Sequence, residues 1–258
     1  MKHNHCGLFM AFFCLLLPFF TETSAAAPTS ATEEKSSLCS AFNKFNTLIR
    51  DGRVGKDTTR PELLTRLAEI RTEYYLRDGM DYPANSWVFP VAGYNAGAIE
   101  KRGNHGFTPR GYDFFSGNSH GGHPAYDIFI RDRNQDSRDD RSGKAVQIVS
   151  MTGGVVVAFE KEWQQGSKLR GGKYIWVYDP ANDLLVYYAH NEELFVEPGT
   201  IVKPGDLLAT MGRSGLNAAK RRSPTHLHFS MLRITDGKLL PLPVYNELQR
   251  SSTIPSQN

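Results

Sequence analysis

Leu38, Phe42, Phe45 and Leu48–Ile49 recur at spacings of three and four, and Leu63, Leu64, Leu67, Ile70 and Tyr74 repeat the pattern. Spacing of that kind puts apolar side chains on one stripe and predicts two amphipathic helices. The second is expected to begin with Thr59 as its N-cap and Pro61 in its first turn, and Gly79 and Pro83 punctuate its end. From Trp87 the texture changes. Short β-rich runs (SWVFPV, YDIFI, AVQIVS, GGVVVAF, KYIWVYD, DLLVYYAH, TIVKPGDLLATMG, THLHFSML) alternate with glycine and proline turns. Many strands at short intervals, without long helical stretches between them, predict a mainly β, antiparallel domain. Pro180-Ala181-Asn182 between two such runs predicts a hairpin, and two Pro-Gly turns lie at Pro198-Gly199 and Pro204-Gly205. The polar chain after Tyr245 is expected to fray.

Ahead of the helices the polarity pattern is of another kind. Lys2 precedes an apolar run, Gly7–Phe20, and the small residues TSAAAPTS follow. That order reads as a secretory signal peptide over 1–26, cleaved after Ala25 or Ala26. The run is shorter than the roughly 20 apolar residues a bilayer span needs, so no membrane span is expected once it is removed. The organisation that follows is a helical segment over 27–85, a β domain over 86–245 and a polar tail over 246–258.

Composition changes this picture little. The chain has 258 residues, 40% of them hydrophobic, enough for one good core plus a small appendage. A net charge of +3 is mildly basic and falls well short of a nucleic-acid footprint. Cys6 and Cys14 would leave with the signal, so Cys39 alone remains and no internal disulfide can form. Phe12 and Phe13 before Cys14 exclude a lipoprotein signal, which wants small residues there.

The chemistry lies in the histidines. In SPTHLHF, His226 and His228 are one residue apart in a strand pattern, so they project from one face while Leu227 and Phe229 enter the core. About a hundred residues upstream, GGHPAYDIFI holds His123 and Asp127. Gly121, Gly122 and Pro124 argue against a helix there, leaving a loop histidine leading into a strand that begins near Asp127. A carboxylate among such apolar neighbours needs a strong partner. His123, Asp127 and one histidine of the later pair would supply two nitrogens and one oxygen, the donor set of a catalytic zinc site with an open position. At the end of DLLVYYAH, His190 is a candidate acid, base or oxyanion donor outside that set.

H-x-x-x-D, then Y-x-H, then H-x-H, in that order in a β-rich exported domain, resembles the lysostaphin/LytM-type zinc endopeptidases of peptidoglycan. The resemblance runs from about Phe89 through Tyr245 and includes VEPGTIVKPGDLLATMGRSG ahead of the H-x-H strand. It implies a LytM-like antiparallel β-sheet or barrel-sandwich peptidase domain. It makes His123, Asp127 and His228 the ligands of one zinc ion, with His190 and His226 as catalytic histidines that do not hold the metal. One departure is visible: Ala125 stands where the family usually has glycine, a change that would matter if that position had positive φ. The helices fall outside the resemblance.

The implied function is hydrolysis of peptide stems or cross-links of bacterial peptidoglycan by a zinc-activated water. The rival is a non-catalytic LytM-like domain that binds the wall or regulates another hydrolase. A carrier-domain hairpin built on the Pro-Gly turns fails for want of a suitable lysine. Without a separate wall-binding module, a periplasmic location is favoured over an extracellular one. In DRNQDSRDD, Asp132, Asn134 and Asp136 have the alternate spacing of a calcium loop, but Ser137 replaces its glycine and Gly143 its closing glutamate, so a salt-bridged loop is the better reading.

Overall fold

The computed structural model describes residues 1, 3 and 30–256, with 30–36 described by their backbone alone. Apart from Met1 and His3, the stretch read as a signal peptide lies outside the described residues. No helix among the described residues is long and apolar enough to cross a membrane.

Both predicted helices form, as α1 (Ser30–Arg50) and α2 (Lys56–Leu76). The start of α2 differs from the expectation. Gly55 occupies the N-cap, and Thr59 lies inside the first turn with its hydroxyl donating to the Gly55 carbonyl. Pro61 then falls within the helix. Thr59 is buried, so it turns inward rather than capping an exposed end.

Nine strands follow among the described residues: β1 (Tyr126–Phe129), β2 (Gln147–Val149), β3 (Gly154–Glu160), β4 (Lys173–Asp179), β5 (Leu184–Leu194), β6 (Ile201–Val202), β7 (Leu207–Met211), β8 (His226–Thr235) and β9 (Lys238–Pro241). They make one antiparallel sheet in the order β1-β8-β5-β4-β3-β6. Strand β7 pairs both β5 and β2, and β9 pairs β8. The mainly β expectation holds, but the sheet does not close on itself, so the barrel form is replaced by an open sheet. The predicted β4–β5 hairpin is present. Strand β9 was missed, although Asp236 and Gly237 both have positive φ, the conformation that a two-residue Asp-Gly hairpin turn requires.

Alternation along the strands gives the sheet two apolar faces. Tyr126, Ile128, Val186, Tyr188, Leu227 and Phe229 join one core. Val155, Val157, Tyr174, Trp176, Leu185 and Ala189 point the other way, into a second core completed by α1 and α2. Phe42, Ile49, Leu63 and Leu67 seal that face, each worth about 1.5–3 kcal/mol when fully buried. Polar side chains fix the docking. Asn43 accepts from the Phe159 N–H at 2.9 Å, the Asn46 amide donates to the Tyr174 hydroxyl at 3.1 Å, and Arg50 pairs with Glu160 at 2.6 Å.

Two further expectations are corrected. SWVFPV makes no ladder strand. It runs extended and contributes isolated bridges, Val88 to Ser252 and Val91 to Ile148, because Pro90 lacks the donor a ladder needs. The tail does not fray through residue 256. It forms α3 (Tyr245–Arg250), which buries Leu248, and its backbone then accepts from the Phe89 N–H at Ser252 and the Gly93 N–H at Ile254.

Candidate metal centre and active site

His226 and His228 both lie on β8, at its junction with β1. In the ladder Asp127 stands opposite His228, so strand register alone brings the carboxylate to the histidine. Leu227 and Phe229 are fully buried on the other face, as alternation required. His123 arrives from the preceding loop, where it exchanges backbone hydrogen bonds with Thr108 at 2.6 and 2.7 Å. Ala125 between them is fully buried and is not among the residues with positive φ, so its methyl group is accommodated without backbone strain.

One Asp127 oxygen is the hub. His228 Nδ1 lies 3.1 Å from it, His123 Nε2 3.3 Å and His226 Nε2 3.7 Å. One candidate ligand atom from each of His123, Asp127 and His228 lies within 4.8 Å of the others, the one such group among the described residues. Two imidazole nitrogens and a carboxylate oxygen converging in this way are the protein donor set that fits a catalytic zinc ion.

His190 reaches the cluster through a defect in the sheet. Tyr174 pairs with Ala189 and Lys173 with Asn191, so His190 is the extra residue of a β-bulge. Its φ of 70° lies in the left-handed region, a strained conformation for a side chain of this size. Here β5 also changes partner, from β8 at Ala189 to β7 at Asn191. The bulge turns the imidazole inward, 4.9 Å from the His226 ring and 5.5 Å from that of His228.

Backbone carbonyls set the tautomers. His123 Nδ1 faces the Gly106 carbonyl at 2.9 Å, His190 Nδ1 the Ser214 carbonyl at 2.8 Å, and His226 Nδ1 the Pro224 carbonyl at 2.7 Å. A carbonyl only accepts, so each ring donates from Nδ1, which leaves Nε2 as the nitrogen available to the cluster. Burial, together with the neighbouring His226 and His228, holds the His190 imidazole well below its ordinary pKa and therefore neutral. Burial works to raise the pKa of Asp127, but hydrogen bonds from His123 and His228 outweigh it and keep the carboxyl well below its ordinary value.

The five side chains read from the sequence as metal ligands or catalytic histidines line one cleft of about 260 Å³. His120, Arg170, Tyr187, Asn217 and Ser223 also line it and were not singled out. Arg170 sits in a loop just ahead of Gly171-Gly172, where no periodicity marks it. The stretch read against a calcium loop is occupied differently. Asp132 accepts from the backbone N–H groups of Asp136 and Ser137 and from the Thr225 hydroxyl, and Asn134 donates to Asp136, which gives the calcium reading no support.

Residues 138–240 match the model of Peptidase family M23. The match contains His190, His226 and His228, while His123 and Asp127 lie upstream of it. A comparison with curated proteins yields no match. Among solved structures, a zinc-containing peptidase from Vibrio cholerae is 18% identical with a TM-score of 0.38, covering 69% of this chain and 41% of that one. Lysostaphin from Staphylococcus simulans is 18% identical with a TM-score of 0.35, over 57% of this chain and 52% of its own. The chain thus spans about half or less of the length of these two. A protein described as the glycyl-glycine endopeptidase lytM of Ruminococcus gnavus is 20% identical with a TM-score of 0.42, over 90% and 91%. Over residues 138–240, a stretch that holds three of the site histidines, the chain is thus similar to Peptidase family M23.

Proposed function

We propose that this protein is an exported, zinc-dependent endopeptidase that hydrolyses peptide stems or cross-links of bacterial peptidoglycan. M23 peptidases generally act on that polymer. The observation that carries the reading is the convergence of His123, Asp127 and His228 beside two further histidines, each tied to a backbone carbonyl through Nδ1. His123, Asp127 and His228 would hold the metal, which when bound supplies Lewis acidity and lowers the pKa of water toward 7.

The protein's own groups then handle the proton. Amide hydrolysis adds water oxygen to the carbonyl carbon, breaks the C–N bond and moves a proton to the leaving nitrogen. His226 Nε2, with its Nδ1–H held by Pro224, is oriented to accept a proton from water. The resulting imidazolium can return that proton to the amine. His190 also starts as an acceptor, since its Nδ1–H is committed to Ser214. It donates to a developing oxyanion or leaving amine only after taking up a proton. Cys39 is buried, and burial pushes its thiol up to about 12, so it offers no rival nucleophile.

Digestion of purified sacculi by the zinc-loaded protein, with and without chelator, tests the reading through the muropeptides released. Chelator-sensitive release of cleaved stems is expected. Zinc binding without release would favour the non-catalytic, regulatory alternative.

A further inference from the structure

The cleft holds one arginine that the hydrolytic chemistry does not use. Arg170 is half-buried and lines the cleft together with His123, Asp127, His190 and His228. It also lines the adjoining aromatic recess formed with Tyr112, Trp176 and Tyr187. Its guanidinium makes one hydrogen bond among the described residues, from Nη1 to the His120 carbonyl at 2.6 Å. No aspartate or glutamate among the described residues pairs with it. The remaining N–H groups of this planar fork find no acceptor among the described residues, and such a fork matches a carboxylate in two-point geometry.

Its position is built rather than incidental. The Arg170 backbone N–H donates to the Asn118 side chain at 2.8 Å, and the Asn118 amide donates back to the Lys168 carbonyl at 3.1 Å. Asn118 belongs to the 3-10 turn Phe114–Ser119, which is seated on the C-terminal end of α1. On the other side, a Cβ placed on Gly215 would stand 2.5 Å from the Arg170 carbonyl and 2.8 Å from His190 Nδ1, so the arginine backbone is packed against the Ser214-Gly215 segment that holds His190. A fixed cation with open donors, beside a site whose one acidic group is committed to histidines, favours an anionic group on the ligand.

We propose that Arg170 binds a free carboxylate on the peptide substrate, next to the bond to be cleaved, and so selects acidic stem peptides over their amidated forms. This rests on the peptidase reading above and names its substrate class. The test uses a cross-linked muropeptide dimer in which the diaminopimelate at the cross-link carries its free carboxylate, and the same dimer amidated there. Binding of both is measured calorimetrically to zinc-loaded His226→Ala protein, with and without Arg170→Gln, and turnover of both is measured on the unmodified protein.

The acid is expected to bind roughly tenfold to a hundredfold more tightly than the amide, as a charged hydrogen-bonded pair does. Arg170→Gln should erase that ratio, and Arg170→Lys should restore part of it. A purely structural role would weaken both ligands equally and leave the ratio unchanged. Equal affinity for acid and amide, a ratio that survives Arg170→Gln, or no binding of either would overturn the assignment. Preference for the acid without turnover of either dimer would overturn the peptidase reading and leave the carboxylate subsite standing.

Discussion

At the residue scale, His226 and His228 are one residue apart yet differ in which nitrogen they present. His228 turns Nδ1 to Asp127, whereas His226 commits Nδ1 to Pro224 and presents Nε2. His228→Ala is therefore expected to lose bound zinc, as read by metal content after gel filtration. His226→Ala should keep the metal and lose roughly 10²- to 10⁴-fold in turnover, the usual worth of a positioned base. Full activity in the His226→Ala protein would remove that histidine from the mechanism. A second prediction concerns Asp179, whose carboxyl burial pushes up to about 6. The folded state then holds its proton more tightly than the unfolded state, so this group's contribution to stability falls as pH rises from about 4 to about 6. Asp179→Asn removes the charge. Its melting temperature relative to wild type should be more favourable at pH 7 than at pH 4, with a ceiling of about 3 kcal/mol for a two-unit shift. A difference that stays constant across that range would show that Asp179 titrates normally.

At the scale of elements, the sequence made some parts legible and hid others. The H-x-H strand could be read because period-two alternation places Leu227 and Phe229 inside and both histidines on the other face. The Asp127 strand could be read because a carboxylate in YDIFI needs an explanation. The bulge at His190 could not be foreseen, since nothing in DLLVYYAH distinguishes an inserted residue from a regular one. Arg170 was hidden for a related reason: its place depends on a turn more than fifty residues earlier in the chain. That turn carries its own test. Gly117 has φ 51° and ψ −134°, and a Cβ there would press on the Ile49 and Arg50 carbonyls. Gly117→Ala should therefore destabilise the protein by about 1–3 kcal/mol and loosen the Arg170 wall. Thermal melts and hydrogen exchange over residues 112–121 measure the two effects, and unchanged exchange there would uncouple the turn from α1.

For the molecule as a whole, the helical stripes announced two helices but not what they would cover. An amphipathic pattern states that a face must be buried and leaves its partner open. In the folded chain the partner is the sheet itself. Removing residues through Leu76 should expose Val155, Val157, Trp176 and their neighbours, giving an aggregating or dye-binding product. A monodisperse, cooperatively melting shortened protein would contradict the shared core. Zinc should act on the same global equilibrium. Metal at a hundredfold excess over its dissociation constant adds about 2.7 kcal/mol, so the melting temperature is expected to rise with zinc concentration and to fall on chelation.

Because β5 trades β8 for β7 at His190, this histidine sits where two mechanical halves of the sheet are riveted together. The candidate ligands His123, Asp127 and His228 ride on the β1–β8 half, while the Ser214 carbonyl that steers His190 follows directly from β7. The candidate metal cradle and the His190 ring therefore stand on opposite banks of a seam. Under the proposed function, strain that shifts β7 against β8 would detune the chemistry while leaving the three candidate ligands in place, and the wall polymer itself would be one body able to apply such a load.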